Sequence, residues 1–313
     1  MRFSRRQWGL ILGGSSGFGL ATAHKLAAHG MSLIVVHRDR RGAMARIEPE
    51  FAAIRATGAS LITVNADALD TATRGAILDR VAGALGADGR IRVLLHSIAF
   101  GNLKLVVPER RAEKQTVPAL AAELGIEPER LAAAVDRLFA NGLDELLAIA
   151  SPPAYPASAF LEEEDFARTI HAMGTSLVGW TQDVLARNLF ADDARVLGLT
   201  SEGNQVAWKG YAAVAAAKVA LESAARALAV ELAPHGVRAN VIQAGITDTP
   251  ALQAIPGHEH LKAQARQRNP FRRLTTPRDV AAVVYLLATD EAAWINGDVI
   301  RVDGGEHISG ALA

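Results

Sequence analysis

The side chains of Tyr211 and Lys218 are of types that can act together in catalysis. The two residues stand seven positions apart in a stretch without glycine or proline. Seven positions make almost two turns of an α-helix, so both side chains fall on one face if the stretch is helical. A phenol near a fixed ammonium ionises more easily than a free one, whose pKa is about 10. The spacing therefore fits a proton donor and a cation in one wall of an active site. A solvated lysine, or one paired with Glu222, has the same spacing.

A glycine-rich turn follows the first apolar run of the chain, residues 8–12, and precedes a helical pattern at 20–29. In this turn Gly13 permits a tight bend, Gly17 lets the backbone approach a pyrophosphate, and Gly19 lets helix and strand pack closely. The positive end of the helix then faces the anion. The turn predicts a dinucleotide-binding cradle, with a strand-to-helix turn that binds nothing as the alternative. The predicted cradle residues are Gly13, Ser15, Ser16, Gly17, Phe18 and Gly19.

Charged residues after the second and third predicted strands indicate which dinucleotide binds. The run His37-Arg38-Asp39-Arg40-Arg41 places cations where a 2′-phosphate would lie, which favours NADP(H), with Arg38 as its predicted ligand. Asp39 could instead accept hydrogen bonds from the ribose hydroxyls of NAD(H), so that cofactor stays an alternative. Asp67, with Ala68 beside it, is predicted to accept from the adenine amino group, and capping of the next helix is the alternative for Asp67.

Apolar runs alternate with helical patterns along most of the chain. The predicted strands are 8–12, 32–36, 61–64, 93–98, 195–200, 237–242 and 299–302. Outside residues 101–161, the predicted helices are 20–29, 43–57, 71–85, 166–188, 211–232 and 277–287. Consecutive parallel strands need a crossover, which is usually a helix. The sequence therefore predicts an α/β, doubly wound Rossmann fold: a single domain with a seven-stranded, mostly parallel sheet.

The pattern changes between residues 101 and 161, where no strand is predicted. A polar stretch at 108–116 leads to two predicted helices, 127–140 and 143–150, and then to a proline-rich break at 151–156. This segment reads as a helical insertion after the fourth strand, on the rim of the sheet. We expect it to roof the substrate cleft and to set substrate identity.

Composition excludes several function classes. Lys and Arg together number 33, as do Asp and Glu, so no net charge draws the protein to nucleic acid or to an anionic membrane. The absence of cysteine excludes disulfides, thiolate catalysis and cysteine-ligated metals, and no metal site is predicted. No apolar run reaches membrane-spanning length, and residues 8–12 are too short for a signal peptide. We expect a cytoplasmic protein that acts on a small molecule.

Four motifs occur in an order that is typical of one enzyme family. They are His96-Ser97-Ile98-Ala99, the pair Tyr211 and Lys218, the segment 244–249 and the segment 302–305. On these motifs the chain resembles a short-chain dehydrogenase/reductase over residues 8–100 and 160–309. Within that family it resembles the divergent branch that contains the enoyl-acyl carrier protein reductases, because six residues separate Tyr211 from Lys218 and ordinary ketoreductases have three.

The resemblance assigns expected roles to the matching residues. Tyr211 and Lys218 would be catalytic, and Lys218 would also hold the nicotinamide ribose. The remaining expected cofactor contacts are Ser97, Ile98, Ala99, Gly245, Thr247 and Thr249.

The chain also departs from the family pattern. Glu202 stands near the position where many enoyl reductases have a second tyrosine. Ser201 could match the hydroxyl of the ordinary catalytic tetrad, which would make it catalytic, or it is a loop serine. The tetrad asparagine is missing from residues 171–180, where Thr175 or Ser176 is offered instead.

The resemblance implies three functional hypotheses. The first is reduction of the carbon-carbon double bond of a 2-enoyl thioester by NAD(P)H, with hydride delivered to the β-carbon and Tyr211 stabilising the enolate oxygen. The second is a carbonyl reductase or alcohol dehydrogenase, in which Ser201 and Tyr211 both contact the substrate oxygen. The third is a catalytically silent dinucleotide sensor or scaffold.

A predicted substrate lid at residues 250–273 and the helix at 211–232 indicate the partners. The cations of the lid could bind the phosphate of an acyl carrier protein or of CoA, or they form a solvated helix face. They are Lys262, Arg266, Arg268, Arg272 and Arg273. Family members commonly assemble through the helix that matches 211–232, which implies a homotetramer or homodimer.

Overall fold

The structure is a computed structural model, and it describes residues 3–110, 115–155 and 160–310. The strands of this part are β1 (Gln7–Leu12), β2 (Ser32–His37), β3 (Leu61–Asn65), β4 (Arg90–His96), β5 (Phe190–Ser201), β6 (Val237–Ala244) and β7 (Val299–Val302). They form a sheet in the order β3-β2-β1-β4-β5-β6-β7, and every neighbouring pair is parallel. The predicted doubly wound Rossmann fold is confirmed.

Helices cover both faces of this sheet, which is why its strands read as continuous apolar runs. The α-helices of the described ranges are α1 (Gly17–Ala28), α2 (Met44–Ala56), α3 (Thr71–Leu85), α4 (Thr116–Leu124), α5 (Pro128–Ala140), α6 (Glu163–Ile170), α7 (Ser176–Ala186), α8 (Ala212–Glu231), α9 (Pro250–Gln253), α10 (His258–Arg268) and α11 (Pro277–Ala288). One face carries α3, α7 and α8, whose Trp180 and Leu221 are fully buried. The other carries α1, α2 and α11, with Phe51 and Val284 in the core.

The single helix predicted at 166–188 is wrong in one respect, because a π-helical turn at His171–Thr175 divides it into α6 and α7. Gly174 lies in this turn, and a Cβ there would stand 2.8 Å from the carbonyl oxygen of Ala217 on α8. Gly174 thus lets the π turn pack closely on α8 next to Lys218. Turns of this kind often mark functional sites.

The structure partly corrects the prediction for residues 101–161. The predicted helix at 127–140 is present as α5, but 143–150 contains only a 3₁₀ helix, Asp144–Ala148, and α4 was not predicted. Gly142, with φ of +92°, follows α5 and prevents a continuous second helix. Gly125 ends α4 in the left-handed conformation. The last residue of the proline-rich break, at position 156, lies outside the described residues.

Within the described ranges, the structure contains no helix that is both long and apolar enough to cross a membrane.

Candidate active site

A cleft of about 530 Å³ opens at the carboxyl ends of the strands, where the order of the sheet reverses between β1 and β4. Ligands of open α/β sheets bind at such switch points. Every residue that the sequence predicted for the site lines this cleft except Gly19. Residues from six separate segments of the chain therefore meet there, and their individual roles stay predictions.

The glycine turn forms the floor of the cleft. Gly13 has φ of +85°, and a Cβ on it would stand 2.5 Å from the carbonyl oxygen of Ser97. A Cβ on Gly19 would collide with the carbonyl oxygen of Gly13, so this glycine permits the close packing of α1 on β1. Ser16 precedes α1 without a side-chain cap, and Gly17 opens the helix with φ of +52°. This bare backbone at a helix N-terminus fits a pyrophosphate.

Arg38 and Asp67 form a pair at the adenosine end of the cleft. The Arg38 Nη1 atom donates to Asp67 Oδ2 at 2.6 Å, and the guanidinium lies 4.9 Å from the ring centroid of Phe100. The helix-cap alternative for Asp67 is wrong, because Asp70 caps α3 by accepting from the Thr73 amide at 2.7 Å. Asp67 is thus free of a capping role and lines the cleft.

The other charged residues after β2 take different positions. Asp39 lines the cleft, and its Oδ2 is 2.9 Å from His37 Nδ1. Arg40 and Arg41 are exposed and lie outside the lining, so the expected group of cations is reduced to Arg38 among residues 38–41, all of which are described.

Tyr211, Ser201 and Lys218 meet at the centre of the cleft. The Tyr211 hydroxyl is 3.2 Å from the Ser201 hydroxyl, and Lys218 Nζ donates to the Leu199 carbonyl at 2.8 Å. Tyr211 stands directly before α8 rather than inside it, after Gly210 with φ of +73°. Glu222 is not bonded to Lys218 and accepts instead from the Thr200 hydroxyl at 2.7 Å.

Burial controls the protonation of this centre. It raises the pKa of Tyr211, against a smaller lowering by the hydrogen bond from Ser201. It also lowers the pKa of Lys218 to about 8, although the charge of Glu222 acts in the opposite direction. The expectation that the phenol is easier to ionise than a free one is therefore wrong, because burial raises its pKa. At neutral pH Tyr211 is a neutral hydrogen-bond donor.

Two family models match the chain. The model described as short chain dehydrogenase matches residues 7–117, and the one described as Enoyl-(Acyl carrier protein) reductase matches residues 127–307, which is more than half of the chain. The chain belongs to the short-chain dehydrogenase/reductase family. It is an oxidoreductase of that family, whose members bind nicotinamide dinucleotides, and the bare glycine cradle fits such a cofactor.

Individual relatives agree with this assignment. The short-chain reductase protein NovJ of Streptomyces niveus is 26% identical over 307 residues, which are 96% of this chain and 94% of that protein. The enoyl-[acyl-carrier-protein] reductase [NADH] FabI of Bacillus cereus is 32% identical over 125 residues, 40% of this chain and only 49% of the relative. The crystal structure of the enoyl-[acyl-carrier-protein] reductase (NADH) of Aquifex aeolicus has the same fold, with a TM-score of 0.71, 22% identity and 98% of each chain covered.

Ser176 and His96 form a buried pair beside Lys218 in this short-chain dehydrogenase/reductase. Of the two candidates for the place of the missing asparagine, Thr175 is exposed and Ser176 is buried. His96 Nε2 is 2.8 Å from the Ser176 hydroxyl, which donates to the Ala172 carbonyl at 3.1 Å. Burial, followed by the charge of Lys218, lowers the pKa of His96 to about 3, so this imidazole is neutral. The sequence indicates His96 only as part of the family signature.

Glu202 does not take the place of a second tyrosine, because Ser201 is the residue beside the Tyr211 hydroxyl. Glu202 is instead 5% exposed and bonded to Arg268 at the end of α10. Arg268 also donates to Glu306 at 3.2 Å, and Glu306 Oε2 accepts from the Ile246 amide at 3.3 Å. Burial, with a further contribution from Glu202, raises the pKa of Glu306. This ionic cluster of Glu202, Arg268 and Glu306 joins the residues after β5, the end of α10 and the segment 244–249.

The lid cations are mostly neutralised by carboxylates of the chain itself. Lys262 pairs with Glu259 at 2.8 Å, Arg266 with Asp144 at 2.6 Å, and Arg273 with Asp279 at 2.7 Å. Arg272 is exposed and donates to the Gln267 carbonyl at 3.0 Å. A substrate phosphate would have to compete with these ion pairs, which weakens the phosphate-binding hypothesis for this segment.

Cofactor affinity should fall as the pH rises through about 8. The pKa of Lys218 is lowered to about 8, so its ammonium is present below that pH and is lost above it. We expect the Kd of NADPH, followed by fluorescence between about pH 6.5 and pH 9.5, to rise severalfold. Lys218→Met should remove this dependence, and a dependence that persists in the variant would assign the titration to another group.

Proposed function

We propose that this protein reduces the carbon-carbon double bond of a 2-enoyl thioester with NAD(P)H. The observation that carries the proposal is the state of Tyr211, a buried phenol whose pKa is raised. Such a group stays protonated at neutral pH and can donate a hydrogen bond to the oxygen on which charge accumulates. An enolate oxygen needs only this hydrogen bond, because the proton that completes the reduction goes from solvent to carbon.

The residues of the centre divide the work. A bound nicotinamide dinucleotide supplies the hydride. Tyr211 donates to the thioester oxygen, where negative charge accumulates as the β-carbon is reduced, and stabilisation of this charge usually makes the largest contribution to catalysis. Ser201 orients the phenol through the contact of 3.2 Å between their hydroxyls. Lys218, fixed by the Leu199 carbonyl, holds the nicotinamide ribose and places positive charge in the same wall.

The comparisons support this proposal from a second direction. The model described as Enoyl-(Acyl carrier protein) reductase spans residues 127–307 and so includes Ser201, Tyr211 and Lys218. The decisive experiment measures NADPH oxidation with crotonyl-CoA and acetoacetyl-CoA side by side. We expect the crotonyl thioester to be reduced with a kcat/KM at least about tenfold higher, and faster reduction of acetoacetyl-CoA would contradict the proposal.

Carbonyl reduction is the second candidate, and the contact between Ser201 and Tyr211 favours it. Two hydroxyls 3.2 Å apart can both donate to one carbonyl oxygen. The raised pKa of Tyr211 argues against the reverse reaction, because oxidation of an alcohol needs a base at this position. The same pair of thioesters separates the two candidates.

We also propose a preference for NADP(H), supported by Arg38. Arg38→Leu should raise the KM for NADPH roughly tenfold and leave that for NADH nearly unchanged, because it removes a charge-assisted bond at a half-exposed site. The neighbouring Arg40→Leu is the control, since Arg40 is exposed and outside the cleft lining. Equal effects on both cofactors would reject the role of Arg38.

Delivery of the thioester by CoA or by an acyl carrier protein, and assembly into dimers or tetramers through α8, are further proposals. Sedimentation would establish the assembly, and a comparison of crotonyl-CoA with the crotonyl carrier protein would identify the preferred carrier.

A further inference from the structure

The cleft ends beyond Tyr211 in a pocket lined by apolar side chains. Leu103, Met173, Val214, Leu252 and Ile255 line it and pack around the tyrosine. An acyl chain that enters this pocket must fit between these side chains, and apolar pockets discriminate between substrates that differ by a few methylene groups.

Trp208 is the largest side chain that lines this apolar pocket. Its ring centroid lies 5.2 Å from that of Tyr211, in an edge-to-face arrangement. Gly203 makes this packing possible, because a Cβ on it would stand 2.5 Å from the Tyr211 ring and 3.1 Å from the Trp208 ring. The indole is thus held directly beside the reactive centre.

Residues of the insertion contact the segment that carries Trp208. Lys209 Nζ pairs with Glu109 Oε1 at 2.9 Å, and the Tyr155 hydroxyl donates to the Lys209 carbonyl at 3.5 Å. The Tyr155 ring also covers Gly210, where an added Cβ would stand 3.3 Å from it. Glu109 and Tyr155 both belong to residues 101–161, so the insertion directly contacts the two positions after Trp208.

We propose that Trp208 is the wall that restricts this protein to short acyl chains, and that Glu109 and Tyr155 position it. The insertion then sets substrate identity without having to touch the substrate. The inference rests on the proposed thioester substrate, but it does not depend on which bond of that substrate is reduced.

The first experiment measures binding rather than turnover. Saturated butyryl-, octanoyl- and dodecanoyl-CoA are titrated calorimetrically into the protein loaded with NADP⁺. We expect the unmodified protein to bind butyryl-CoA best. Trp208→Ala should improve octanoyl-CoA binding about tenfold relative to butyryl-CoA, because the pocket is extended by the volume of an indole. Parallel changes for all three thioesters, or no change, would overturn the role of Trp208.

The second experiment tests the positioning residues by the same ratio of affinities. Tyr155→Ala should shift the ratio of octanoyl to butyryl affinity severalfold in the direction of Trp208→Ala, since Gly210 loses its cover. Tyr155→Phe keeps the ring and should keep the ratio of the unmodified protein. Leu138→Ala, at an exposed position of α5, is the matched control within the insertion. An unchanged ratio in Tyr155→Ala would reject indirect control by the insertion.

These readouts separate the two proposals. If crotonyl-CoA is not reduced but the affinity ratio shifts as described, the proposed reduction of the double bond is rejected and the proposed role of Trp208 is supported. If crotonyl-CoA is reduced and the ratio does not shift, the proposed function is supported and the proposed role of Trp208 is rejected.

Discussion

Tyr211→Phe should lower turnover roughly 10²- to 10³-fold, the scale of a lost oxyanion donor. The variant keeps the ring that packs against Trp208 and Gly203 and loses only the hydroxyl bonded to Ser201. NADPH affinity should therefore stay within about twofold, because the proposed cofactor contacts of the cleft remain in place. Steady-state kinetics with the thioester that the protein reduces, together with a fluorescence titration of NADPH, measure the two quantities separately.

Tyr285→Phe is the matched control for this experiment. Tyr285 lies on α11, across the sheet from the catalytic helix, where its ring packs against Phe3 and His29. Loss of its hydroxyl should leave turnover unchanged. Full turnover in Tyr211→Phe would remove this residue from the catalytic role and would indicate a different donor.

The residues that sequence alone could place are those whose function demands a fixed local pattern. The glycine turn, the pair Tyr211 and Lys218 and the motifs at 96–99 and 244–249 predicted one site, and the structure brings every residue that was given a role in it, except Gly19, to one cleft. The motif at 302–305 does not line this cleft. Gly13 is an example of such a residue. Its positive φ and its close approach to Ser97 would strain any other residue type, so a glycine at this position of the sequence indicates the backbone geometry.

Contacts between distant residues could not be predicted in this way. Arg268 is separated from Glu202 by 66 positions and from Glu306 by 38, so no local spacing links the ionic cluster. The sequence showed Arg268 only as one basic residue of a surface-like helix. The raised pKa of Tyr211 could not be predicted for a related reason. Desolvation depends on the side chains that pack around the phenol and not on the residue seven positions later.

The contacts of the insertion could not be predicted either, because they too join residues that are distant in the sequence. Its composition predicted helices on the rim of the sheet but not their attachment. In the structure Phe139 and Ala263 share a buried cluster, and Asp144 binds Arg266 at 2.6 Å. The insertion therefore packs directly on the lid helix α10, while Tyr155 reaches the loop before Tyr211. Two elements that sequence patterns treat separately are therefore packed against each other.

The ionic cluster leads to the second large prediction: Arg268→Met should lower the free energy of unfolding by about 3–5 kcal/mol at pH 7. The variant leaves Glu202 and Glu306, which are 5% and 1% exposed, as buried carboxylates without their shared cation. Urea denaturation measures the loss. Arg272→Met, four positions further on at an exposed site, is the matched control and should change the free energy by less than about 0.5 kcal/mol.

The pH dependence of Arg268→Met identifies the cause of its instability. Burial and the charge of Glu202 already raise the pKa of Glu306 when Arg268 is present, and removal of the guanidinium must raise it further. A carboxyl whose pKa is higher in the folded than in the unfolded protein binds more protons when folded, so stability falls as the pH rises and recovers as the pH falls. The variant should therefore regain part of its loss between pH 7 and about pH 5.5, and Glu202→Gln added to it should reduce the loss at pH 7. A deficit that is the same at both pH values would show that lost packing, rather than uncompensated charge, destabilises the variant.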